Sequence, residues 1–105
     1  MAASFAKALH DAIQDGTIQC TFGGVAMGDS WIDPMSFVNA WGPYLYNMGE
    51  IDGNGLNQIN TAAAATQQLV NQGQWAAATN QWGNTESIVE DVRASMMENK
   101  IKFLI

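Results

Sequence analysis

Ala2, Phe5, Ala6, Leu9 and Ile13 recur at steps of three and four, while Lys7, His10, Asp11 and Gln14 fall on the opposite side. That period predicts a helix over 2–14, with Gly16 as its stop. The next apolar run, Thr21 to Met27 (TFGGVAM), has no helical period and breaks on Gly28. It predicts one buried strand, with Gly23-Gly24 marking a bulge or the close approach of another backbone. Asp33 as N-cap and Pro34 behind it open a helix to about Trp41. Gly42-Pro43 should end that helix, because Pro43 cannot donate to the helical ladder, and Tyr44 to Met48 adds a further turn.

Asp52-Gly53-Asn54-Gly55 is a turn cluster. Beyond it Leu56, Ile59, Ala63, Thr66 and Val70 form the clearest helical stripe, broadened by Leu69 and closed by Gly73. A short helix is expected from Gln74 to Trp82, broken by Gly83-Asn84. A last helix then carries Ile88, Val89, Val92 and Met96. Ile101 to Ile105 reads as an edge strand beside Thr21 to Met27. No repeat period emerges, since these helical units differ in length. A single strand cannot satisfy its own N–H and C=O groups, so its ladder partners are expected outside this sequence. The chain reads as a piece of something larger.

Composition narrows the class. The 105 residues allow one domain of modest core, and 48% hydrophobic content with four Trp excludes a disordered polar chain. Net charge is −6, and Lys7 and Arg93 are the only cations before Lys100 and Lys102. With no basic patch to neutralise phosphates, nucleic acid is not an expected partner. No apolar run approaches the ~18 residues of a membrane span. The N-terminus lacks a basic cluster ahead of an apolar stretch, so no signal or transit peptide is expected. Cys20, the only cysteine, reads as inert core or as one half of a bridge to a cysteine elsewhere.

Little of the side-chain chemistry points to catalysis. His10 is the one histidine and has no ligand partner at i±4, so no metal site and no cofactor are expected. Glu86, Glu90 and Asp91 read as a solvated helix face. Gly28-Asp29-Ser30 superficially resembles the block on which one esterase and lipase family presents its nucleophile. The one histidine precedes Ser30, however, and no Asp-x-x-His follows it, so without that base its hydroxyl stays a weak nucleophile. Trp41, Tyr44 and Tyr46 read as packing residues. Trp31 differs, because it follows the end of the expected strand, the edge where open α/β sheets place ligands.

Gly24 to Pro34, GVAMGDSWIDP, resembles the serine carboxypeptidase block G-[IV]-[AI]-[ILM]-G-[ND]-[GS]-W-[IL]-[DS]-P. WGPYLY at 41–46 and the later GQWAAATNQWG are similar to the retinoid-inducible branch of that family. The likeness covers residues 1 to about 94. It implies an α/β-hydrolase fragment: mostly α, one buried strand flanked by a helix and a helical cap insertion. Residues 1–32 would belong to the hydrolase core, 33–94 to the helical cap and 95–105 to a divergent tail. The implied parent releases single residues from peptide C-termini in lysosomal or secretory compartments. Its nucleophile elbow, G-E-S-Y-G-G, would lie ahead of Met1, and its Asp and His beyond the last residue. No catalytic role therefore carries over to any position here. Asp29 and Trp31 are the expected rim of the substrate cleft. The expected partners are a peptide, in the intact parent, and the remaining hydrolase core. Two other readings stand beside this one, a small helical binding or regulatory module and a Gly-Asp-Ser esterase fragment.

Overall fold

The computed structural model describes residues 1–104, and side chains as far as Lys102. Among the described residues four helices follow one another: α1 (Ala2–Gln14), α2 (Pro34–Asn47), α3 (Gly53–Asn71) and α4 (Trp75–Leu104). They divide between two compact units, 1–31 and 32–105.

The first unit holds α1 and the segment after it. Lys7 Nζ lies 2.5 Å from Asp11 Oδ2, one turn away on the solvent side. The ammonium holds the Asp11 carboxyl below its ordinary range, with His10 adding a smaller pull. A depressed carboxyl supports the helix above its unfolded value and loses that support as pH falls through the lowered one. Opposite, Ala6 is the buried residue of α1, and Phe5 stays exposed.

The strand expected over Thr21 to Met27 does not form, and no strand occurs among the described residues, so this chain is not a visible α/β fragment. The segment is irregular, and Val25 is 49% exposed. The reason is the one that makes lone strands unstable: with no neighbouring ladder, water is the better partner for these peptide groups. Cys20, expected in a core, is likewise exposed. The edge strand over 101–105 is also absent where the structure describes it. Residues 101–104 continue α4, and Ile105 lies outside the described residues.

The second unit is a bundle in which α3 packs along α4 and, less extensively, α2. Its core holds Leu45, Ile51 and Ile59, with Trp41, Leu56, Ile88, Val89 and Val92 packed around them. Asp33 is the N-cap of α2, though its carboxylate takes the Ser36 hydroxyl rather than a backbone N–H. Asp52 caps α3 directly, accepting from Gly55 N at 2.8 Å. Gly73, at φ 70°, follows the end of α3.

Two expected breaks are overridden. Pro43 sits inside a continuous α2, although an interior proline costs about 3 kcal/mol. Val38 and Leu45 flank it and are both buried, and burying each such side chain returns roughly 1.5–3 kcal/mol. Gly83-Asn84 likewise lies within an unbroken α4. A mid-helix glycine costs only about 1 kcal/mol, and Ala78 and Thr85 on either side are buried. The Thr85 hydroxyl bonds Gln81 O at 2.9 Å and lies 3.2 Å from that of Thr66, so the polar pair at the α3–α4 contact is satisfied. At the other end Arg93 donates to Glu50 at 2.6 Å and Lys100 to Gly49 O at 2.7 Å. These bonds tie the second half of α4 to the α2–α3 turn.

Candidate functional site

Within the first unit, the segment singled out by its motif places Asp29 and Trp31 on one loop between α1 and α2. Asp29 adopts φ 47°, a left-handed conformation that few residues other than Gly, Asn and Asp accept. It is exposed, and Trp31 keeps 45% of its surface accessible. The unusual backbone at Asp29 thus lies two residues before a half-exposed indole.

Ser30, between them, is not arranged as a nucleophile. Its hydroxyl donates to Gly28 O at 3.0 Å, which commits the proton to a carbonyl rather than to a base. His10 lies on the solvent side of α1 with Nδ1 3.6 Å from Asp11 Oδ1, its nearby carboxylate on the same helix. Among the described residues, no group of three His, Cys, Asp or Glu could hold a metal ion.

The helical unit contributes two surface grooves that motif reading did not find. One, of about 460 Å³, is a wide, open depression between α3 and α4, lined by Ala62, Ala65 and Ile88 together with Asn57, Thr61 and Gln81. Thr61 donates to Asn57 O at 2.7 Å, so its hydroxyl is already engaged. Its apolar and amide lining holds no charged group and no histidine. The other groove, of about 310 Å³, lies near the start of α3 and is more polar, lined by Asp52, Asn54, Asp91, Ser95 and Asn99 among others. Polar residues on helix surfaces read as solvated in a sequence, and only the pairing of α3 with α4 turns them into groove edges.

Glu86, Glu90 and Asp91 are exposed along α4, a solvated face. Of the aromatic set, Trp41 packs on the core, while Tyr44 and Tyr46 remain exposed. No helix among the described residues is long and apolar enough to cross a membrane.

Comparison with known proteins adds the family. The serine carboxypeptidase family profile matches residues 1–103. Retinoid-inducible serine carboxypeptidase of Rattus norvegicus is 48% identical over 90 residues, covering 86% of this chain and 20% of that protein. The Homo sapiens protein of the same name is 47% identical over the same shares. Serine carboxypeptidase-like 51 of Arabidopsis thaliana is 38% identical over 79 residues, 75% of this chain and 17% of the relative. The chain thus spans about a fifth of the length of the curated relatives it matches. No solved structure matches it.

Proposed function

Since this chain belongs to the serine carboxypeptidase family, we propose that it is a cleft-forming portion of a serine-type carboxypeptidase and has no turnover of its own. In this reading residues 1–32 join the hydrolase core, 33–94 form a helical cap and 95–105 a divergent tail. Asp29 and Trp31 stand at the rim of the peptide cleft, and the helices after Asp33 wall it. The partners are a peptide substrate and the rest of the hydrolase, which supplies nucleophile, acid and base.

The observation that carries the reading is the state of Ser30. Its proton is held by Gly28 O, and the one histidine in the sequence sits beside Asp11 on α1. Acyl transfer needs a base hydrogen-bonded to the nucleophile, and the Ser30 hydroxyl has a carbonyl in that place. The half-exposed Trp31 and left-handed Asp29 support a contacting role for the loop.

The test is release of C-terminal amino acids from a peptide at acidic pH by the 105-residue chain and by Ser30→Ala. Neither protein is expected to exceed the buffer rate. Turnover by the unaltered chain that disappears in Ser30→Ala would replace this reading with the Gly-Asp-Ser esterase one.

A further inference from the structure

The turn that opens α3 holds two residues whose environments contrast. Asn54 is exposed, whereas Gly55, the next residue, is buried with its Cα against Val92. An Asn-Gly pair in an unstructured chain deamidates readily, because glycine places no side chain in the way of its own nitrogen. Gly55 N attacks Asn54 Cγ, a C–N bond forms, the Cγ–amide bond breaks and ammonia leaves. Water then opens the cyclic imide at either carbonyl, giving an aspartyl or an isoaspartyl linkage at position 54.

The structure blocks the first step in three ways. Gly55 N donates to Asp52 Oδ1 at 2.8 Å, so its proton is shared with a carboxylate whose negative charge opposes formation of an amide anion beside it. Leu56 N donates to Asp52 O at 2.9 Å, which closes the same turn through the main chain. Helical backbone at Asn54 also directs Gly55 N along the axis, away from Asn54 Cγ. The exposed amide, by contrast, edges a groove that admits the water and hydroxide the reaction consumes.

We propose that Asn54-Gly55 is a deamidation site kept closed by the Asp52-capped first turn of α3. Reaction requires the turn to open, and an isoaspartyl linkage adds a backbone atom that a helical turn cannot absorb. Opening is thereby converted into a permanent loss of the start of α3. Removing the cap raises the open population by the Boltzmann factor of the cap energy, about fivefold for a typical N-cap. The deamidation rate rises by the same factor when opening and closing are faster than the chemistry.

The experiment incubates the full chain in mildly alkaline buffer and follows the amide-to-acid mass change at position 54 by peptide mass spectrometry. Unaltered protein, the same protein in urea, Asp52→Ala, Asp52→Ser and Asn54→Gln are compared. Expected results are slow loss in the native chain, much faster loss in urea and about fivefold acceleration in Asp52→Ala. Asp52→Ser, which retains a capping oxygen but not the charge, should fall between the native chain and Asp52→Ala, and Asn54→Gln should abolish the amide-to-acid change at position 54. Equal rates in native buffer and in urea would overturn the proposal. So would Asp52→Ala indistinguishable from the unaltered chain. Should Asp52→Ala fail to fold, Asp52→Ser decides: a folded variant reacting as fast as the urea sample refutes the guard.

Discussion

Replacing Ile59 by alanine is expected to lower the melting temperature of the helical unit by roughly 10–30 °C. Ile59 is 0% exposed and belongs to the apolar cluster that also draws in Leu45 and Trp41 from α2 and Ile88 and Val89 from α4. Truncating a buried isoleucine costs about 2–5 kcal/mol, a transfer loss plus the cavity left behind. A unit of this size is held by roughly 4–11 kcal/mol in total, so the upper part of that range unfolds it outright. Thermal melting followed by circular dichroism reads the change. A shift of only a few degrees would mean that the α2–α3–α4 core is not what holds these helices together.

The second large effect belongs to Gly55→Ala. On propensity alone the change would stabilise a helix by about 1 kcal/mol. Here the added methyl would collide with Val92 Cγ1 and lie 3.2 Å from Ile51 Cβ. Valine in a helix keeps one χ1 rotamer, so Val92 cannot swing aside, and overpacking of this kind costs about 1–3 kcal/mol. Gly42 makes the useful contrast. A methyl there meets first Asn60 Oδ1 at 2.5 Å, the movable end of an exposed side chain, and the apolar atoms Leu56 Cδ1 and Ile59 Cγ2 lie farther off at 3.2 and 3.3 Å. Urea unfolding should show Gly55→Ala destabilised and the double variant Gly55→Ala/Val92→Ala less so than the two losses added together, by 0.5 kcal/mol or more, a coupling typical of residues in contact. Strict additivity would remove the Gly55–Val92 contact from this account.

Much of the helical layout is legible in the residues. The period over Ala2 to Gln14 gives α1 as it stands, Asp33-Pro34 gives the start of α2, and the stripe from Leu56 to Val70 ended by Gly73 gives α3. Pro43 and Gly83-Asn84 misled because local breakers act at about 1–3 kcal/mol, a scale that burial of Val38, Leu45, Ala78 and Thr85 matches. Thr21 to Met27 misled for the opposite reason. Its composition suits a strand, but a strand is a property of neighbours, and none is present among the described residues. Asp29 and Trp31, proposed for a cleft rim, share one contiguous motif, and adjacency of that kind is open to a sequence. The groove lined by Asn57, Thr61 and Gln81 arises from two helices meeting across a turn, and no local pattern announces it.

Native-state amide hydrogen exchange on the monomer addresses the central claim, that the helical unit carries its own core while Thr21 to Met27 forms no strand. Amides of α3 and the first half of α4 should be the slowest, and those of Thr21 to Met27 should exchange at rates near those of an unfolded peptide. Strong protection of Thr21 to Met27 in the monomer would contradict it.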